Sequence, residues 1–413
     1  MKTRGYTDIV GYLDLDAEAE SQRATRPVTS NARSSAVAPF DDAAAIYVHF
    51  PFCRHLCTYC DFDTFTRQEA LIDPYVRAVV GQIRHSPRTR ATSLYVGGGT
   101  PSLMEGEQAA AIVEACRAGF GLPQDAEVTI EANPSELEMR RLEAFRRAGF
   151  NRLSLGVQSV DDRVLRVLGR RHRAEGAGAA VKAARAAGFE NLSIDLIYGA
   201  PLQTLESWEA TLDTAVRWGV DHLSCYMLSL EAGTPLERGV TKGVLAVPED
   251  DAAVAMYEAA VERLGKAGYR RYEISNFARP GFESAHNLTY WRNRPYLGIG
   301  AGAAGCWNGH RYKILPDLRR YMQGVEARRI PLAEEEDIDK RRSMSDTMIL
   351  GLRLEDGIAR ADFAERYGIQ PEEPFGLALE WAEEAGLLEQ SDERVKLTHR
   401  GILLSNELFQ RLL

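Results

Sequence analysis

The stretch "PFCRHLCTYCDF" (51–62) carries Cys53, Cys57 and Cys60, spaced four and three residues apart, whereas Cys116, Cys225 and Cys306 stand singly. Directly before it lies "AIYVHF" (45–50), a short apolar run that reads as a strand. The three thiols therefore follow the C-terminal end of a first strand, where ligands gather in α/β folds. Soft sulfur selects zinc or an iron–sulfur cluster. Spacing alone leaves open a Cys₃His zinc site completed by His49 or His55, or plain buried thiols.

Outward from this loop the pattern repeats. Further strand-like runs follow at "SLYVGG" (93–98), "EVTIEA" (127–132), "NRLSLGV" (151–157), "NLSIDLIYG" (191–199) and "HLSCYML" (222–228). Helical stretches separate them. In "SELEMRRLEAFRRAGF" (135–150), Leu137, Leu142, Phe145 and Ala148 approximate one helix face. Six strand–helix units in series imply parallel strands joined by crossovers, hence an open or closed α/β barrel with its site at the strand C-termini. Residues 1–44 read as a flexible N-terminal extension, because 17–43 show no apolar period that could offset ordering entropy. Beyond about residue 330 the texture becomes short helices, a hairpin in "GLLEQSDERVKLT" (386–398) and a final amphipathic helix. That order resembles a winged helix and marks 331–413 as a C-terminal α+β domain, leaving 45–330 as the core.

Composition bounds the function. The chain has 413 residues, 45% hydrophobic and 26% charged, as expected for a soluble globular protein. No apolar run approaches the ~20 residues of a membrane span. The N-terminus lacks a secretory signal, so the cytoplasm is the expected compartment, where thiols stay reduced. A net charge of −9 argues against nucleic-acid binding, despite the local basic run "GRRHR" (169–173). The C-terminal region is itself acidic through Glu372, Glu373, Glu380, Glu383 and Glu384.

The CxxxCxxC pattern after a strand, followed by "GGGTP" (97–101), resembles the radical S-adenosylmethionine superfamily. The resemblance implies a partial (β/α)6 barrel and a [4Fe–4S] cluster held by Cys53, Cys57 and Cys60. Its fourth iron would be left open for S-adenosylmethionine. Within the superfamily the chain is similar to oxygen-independent coproporphyrinogen oxidase and its relatives over nearly all of 45–413. That likeness implies S-adenosylmethionine contacts from Tyr47, Tyr59, Gly98, Gly99, Thr100, Glu131, Gln158, Arg170 and Asp195. The chemistry suits the ligand, since carboxylates accept from ribose hydroxyls and ammonium, and Arg170 can pair with a carboxylate. The "GAGAAG" run (300–305) fits a dinucleotide fingerprint but lacks the strand and helix around it, so it reads as a glycine-rich turn.

Two departures separate the chain from the oxidases. They carry a fourth cysteine two positions after the third, where Phe62 stands here, and no match to their N-terminal substrate segment occurs in 1–44. Instead "HNLTYW" (286–291) resembles the haem-binding motif of the family's haem-chaperone branch. His286 would be an axial ligand, Asn287 its orienting partner, and Tyr290 and Trp291 a wall for the macrocycle. A hydrogen-bonded core histidine is the alternative. No CxxCH occurs, so haem b rather than c-type attachment is implied. The expectation is a cytoplasmic carrier, monomer or dimer, that passes haem to acceptor proteins. By resemblance these are respiratory haemoproteins, membrane-associated ones among them, or bacterioferritin. An oxidase acting on coproporphyrinogen III is the competing expectation.

Overall fold

The computed structural model describes residues 43–413. The expected N-terminal extension thus lies outside the described residues, except that Ala43 and Ala44 already belong to the first strand. Six strands follow one another in the sheet: β1 (Ala43–Phe50), β2 (Arg90–Gly98), β3 (Glu127–Ala132), β4 (Arg152–Gln158), β5 (Asn191–Tyr198) and β6 (His222–Met227). All are mutually parallel. The helices between them include α1 (Ile72–His85), α2 (Gly106–Phe120), α3 (Met139–Ala148), α4 (Asp162–Val167), α5 (Ala174–Ala186) and α6 (Leu205–Arg217).

The sheet does not close on itself. After α7 (Pro235–Thr241) and α8 (Asp250–Lys266), β7 (Arg270–Arg271) and β8 (Asn276–Ala278) extend the β6 edge antiparallel. Beyond α9 (Ala285–Trp291), β9 (Tyr296–Ile299) pairs parallel to β1 on the other edge. There β10 (Ala304–Trp307), β11 (His310–Ile314) and β12 (Leu332–Asp337) complete a 12-stranded sheet. The partial (β/α)6 barrel is as expected; its flanking antiparallel strands were not. Because β12 still belongs to this sheet, the smaller unit starts beyond it. That unit contains helices Arg360–Tyr367 and Glu372–Glu384 and the hairpin of Leu388–Gln390 with Arg394–Leu397. The final segment is two short helices, His399–Leu403 and Ser405–Phe409, not one.

A period of two explains the barrel's contents. Alternate residues such as Ile46, Val48, Leu94, Val96, Ile130, Leu153, Leu155, Ile194 and Leu223 join the core under the helices. The residues between them are polar: Tyr47 and His49, Ser93 and Tyr95, Thr129 and Glu131, Arg152 and Ser154, Ser193 and Asp195, His222 and Ser224. Successive side chains on a strand face opposite ways, so this polar set fills the interior. On the outer layer Leu142 and Phe145 are fully buried on α3, while Leu137 precedes that helix. Each such apolar side chain contributes about 1.5–3 kcal/mol of burial.

Candidate functional site

The cysteine loop is tied down at three places. At the end of β2, the Gly99 and Thr100 amides donate to the carbonyls of Phe50 (2.9 Å) and Phe52 (2.8 Å). Thr58 donates its hydroxyl to the Val167 carbonyl at the end of α4 (2.7 Å). The Leu236 amide of α7 donates to the Thr58 carbonyl (2.9 Å). Between these anchors Cys53, Cys57 and Cys60 are half-buried free thiols.

Burial raises the Cys53 thiol and pushes Cys60 up to about 12; each also feels Cys57. The Cys53 sulfur lies 3.5 Å from the Thr100 hydroxyl. Arg170 donates Nη1 to the Cys57 sulfur at 3.4 Å, while its Nη2 reaches the Gly156 carbonyl at 2.5 Å and Asn133 Oδ1. Burial of the guanidinium is offset by its neighbours Tyr59 and Cys57, which hold it charged. Three reduced thiols beside a fixed guanidinium fit a cluster that takes one sulfur on each of three irons. Among the described residues no group of three or more His, Cys, Asp or Glu is gathered around one metal ion. His49 cannot complete a zinc site as it stands, for its Nδ1 meets the Tyr47 hydroxyl (2.9 Å) and its Nε2 the Asp63 carbonyl (3.0 Å).

Just inside the barrel, Glu131 accepts from the Tyr95 hydroxyl (2.7 Å) and the Gly98 amide (3.0 Å). Burial pushes its carboxyl up to about 7, with Asp195 adding repulsion. Asp195 accepts weakly from the Ser154 hydroxyl, at 3.3 and 3.4 Å, and burial raises its carboxyl too. Gln158 is buried at the end of β4 with a φ of +68°, a left-handed conformation uncommon for a residue with a side chain. Tyr47, Glu131 and Asp195 are thus neighbours in one interior, and Gln158 and Arg170 meet beside Gly156, where Arg170 reaches Cys57. The two glycines also leave no room for a side chain. A Cβ on Gly98 would lie 2.5 Å from the His49 ring, and one on Gly99 2.6 Å from the Phe52 carbonyl oxygen, so both pack against the protein's own loop.

The "HNLTYW" run forms α9 and sits against the N-terminal ends of the strands. Ser284 caps it, and Glu127, the first residue of β3, accepts from the Ser284 hydroxyl (3.2 Å) and the Ala285 (3.1 Å) and His286 (2.9 Å) amides. His286 is 1% exposed. Its Nδ1 meets the Ser93 hydroxyl and its Nε2 the Tyr290 hydroxyl, both at 2.8 Å. Desolvation pushes the imidazole down to about 3, so it is neutral. Ser93 and Tyr290, not Asn287, orient the ring. Tyr290 is that partner rather than a free wall, and Trp291 packs under the Arg353 guanidinium at 4.8 Å. Iron can reach Nε2 only once the Tyr290 hydroxyl gives it up. A cavity lined by Thr92, Ser93, Ala285, Thr289 and Arg294 lies on the other side of the Ser93 and Ala285 that adjoin His286, which is not itself in its wall.

Sequence reasoning missed Ser93, Tyr95 and Glu127. Strict alternation of polar and apolar residues along each strand was the available signal.

Comparison with known proteins places this geometry. The Radical SAM superfamily model matches residues 47–215, and the HemN C-terminal domain model matches 338–404. The heme chaperone HemW of Bacillus subtilis is 36% identical over 368 residues, covering 88% of this chain and 97% of its own. The chain belongs to the HemW family. The HemW of Mycobacterium tuberculosis is 37% identical, covering 89% and 94%. A mitochondrial radical S-adenosyl methionine domain-containing protein 1 of Bos taurus is 35% identical, covering 96% and 93%. Among solved structures, the radical SAM enzyme coproporphyrinogen III oxidase (HemN) of Escherichia coli superposes with a TM-score of 0.78 at 25% identity, covering 90% of each chain. Superfamily membership implies a [4Fe–4S] cluster and S-adenosylmethionine. No helix among the described residues is long and apolar enough to cross a membrane.

Proposed function

We propose that the protein is a cytoplasmic haem chaperone that binds a [4Fe–4S] cluster, S-adenosylmethionine and haem b, and passes haem to an acceptor haemoprotein. The observation that carries this reading is one barrel interior with three free thiols at one end and a neutral histidine, His286, at the other. Cys53, Cys57 and Cys60 would hold the cluster, Arg170 fixing the outer side of Cys57. Glu131, Gln158 and Asp195 face the side where S-adenosylmethionine would enter, with Tyr47, Tyr59, Gly98, Gly99 and Thr100 around them. When bound, the cluster and S-adenosylmethionine supply one-electron chemistry.

At the other end, His286 is fit to ligate iron because burial keeps it unprotonated. Ser93 would fix the tautomer, accepting from Nδ1–H and leaving Nε2 for the metal. The exposed Arg294 on the cavity rim would meet a propionate. Asn287, Tyr290 and Trp291 complete that helix.

The likeness to the oxidase favours a second reading, decarboxylation of coproporphyrinogen III. Against it, Phe62 occupies the position of the oxidases' fourth cysteine and is 59% exposed. Assaying cluster-reconstituted protein for haem transfer to an apo-haemoprotein and for coproporphyrinogen III turnover separates the two. Transfer without turnover is expected; turnover without haem binding would reverse the assignment.

A further inference from the structure

Tyr95 touches both ends of the barrel interior. Its ring lies 5.1 Å from the His286 ring, tilted by 32°. Its hydroxyl donates to Glu131 Oε1 at 2.7 Å, and the same carboxylate accepts from the Gly98 amide at 3.0 Å. Two residues earlier on the same face of β2, Ser93 holds His286 Nδ1 at 2.8 Å. There is little slack between these groups. A Cβ at Gly97 would lie 2.9 Å from the Tyr95 ring and 3.1 Å from the Glu131 carboxyl.

The imidazole has two mutually exclusive arrangements. Nε2 either meets the Tyr290 hydroxyl, as here, or is presented to iron; one lone pair cannot serve both. Presenting it requires the Tyr290 hydroxyl to leave a ring that is also packed against Tyr95, and a close-packed interior passes such a rearrangement on rather than absorbing it. Tyr95 can follow only by changing how its hydroxyl meets Glu131. The Glu131 carboxylate would then hold the Gly98 amide, and whatever lies beside it, differently.

We propose that Tyr95 is a positioning residue that couples the two sites, so that haem on His286 changes the affinity for S-adenosylmethionine at the Glu131 end. The inference rests on the ligand assignments proposed above. Coupling between binding sites is reciprocal, so S-adenosylmethionine must change haem affinity by the same factor.

The test is a binding square on cluster-reconstituted protein. S-adenosylmethionine affinity is measured by equilibrium dialysis with and without saturating haem, and haem affinity by Soret titration with and without S-adenosylmethionine. The wild type is expected to show one common factor, of roughly 5- to 150-fold, the usual range for coupled sites. Tyr95→Phe keeps the ring against His286 and deletes only the hydroxyl. It is expected to bring the factor close to one while both ligands still bind and the Soret position is retained. A merely structural Tyr95 would weaken one or both affinities and leave their ratio unchanged, which would overturn the proposal. A wild-type factor of one with both ligands bound would also overturn it, leaving the haem-chaperone reading intact. Absence of haem binding in the wild type would instead remove that reading, and the coupling with it.

Discussion

Glu131 and His286 sit in the same barrel, and burial moves them in opposite senses. Glu131 is pushed up from 4.5 to about 7, so folding takes up a proton there. Its contribution is therefore complete below pH 4.5 and is lost as pH rises toward 7. His286 is pushed down from 6.5 to about 3, so its neutral form contributes fully above pH 6.5 and loses ground as pH falls toward 3. Melting temperatures of apo-protein across pH 3–8 are expected to lose the upper slope in Glu131→Gln and to flatten on the acid side in His286→Gln. The cysteines divide as cleanly. Ala at Cys53, Cys57 or Cys60 should abolish the iron–sulfur absorbance, whereas Ala at Cys116 or Cys225, both buried elsewhere, should leave it. The three ligand cysteines were legible because they are neighbours in sequence. The Ser93–His286 pair was not, since its members stand 193 residues apart and only the fold brings them together.

At the scale of elements, the cysteine loop depends on the turn that follows β2. Gly99→Ala would drive a Cβ to 2.6 Å from the Phe52 carbonyl oxygen, a backbone atom that cannot step aside. About 1–3 kcal/mol of destabilisation is expected from such overpacking, together with poorer cluster retention. Gly176→Ala in α5, where the nearest atom would be His172 Cβ at 3.8 Å, should instead stabilise by about 0.5–1 kcal/mol. Denaturant melts and iron retention after desalting check both. The six barrel strands were readable within one to three residues at each end because their apolar runs are long. The strand before "GAGAAG" was not. Tyr296–Ile299 is only four residues, yet it adds a parallel neighbour to β1. Residues 300–303 of the run turn the chain as expected, while Ala304 and Gly305 already open the antiparallel β10, and no helix follows directly.

The whole molecule joins an oxidase-like frame to a histidine-bearing helix at the far end of its barrel. Its family was legible from the cysteine spacing, the glycine run and "HNLTYW", because these are local. The antiparallel edges and the engagement of His286 by Ser93 and Tyr290 depend on long-range pairing and left no local signature. If Phe62 were the only barrier to oxidase chemistry, Phe62→Cys would create turnover of coproporphyrinogen III. We expect none, and the exposed Phe62 should be replaceable with less than about 0.5 kcal/mol change in stability.

The most direct measurement is iron, sulfide and haem quantitation on anaerobically reconstituted wild type and His286→Ala. The wild type should carry about four irons and four sulfides in the cluster and about one haem per chain. His286→Ala should keep the cluster and its sulfide while its haem affinity falls and its Soret band shifts. Zinc without labile sulfide, or haem bound with unchanged affinity and spectrum in His286→Ala, would contradict the account.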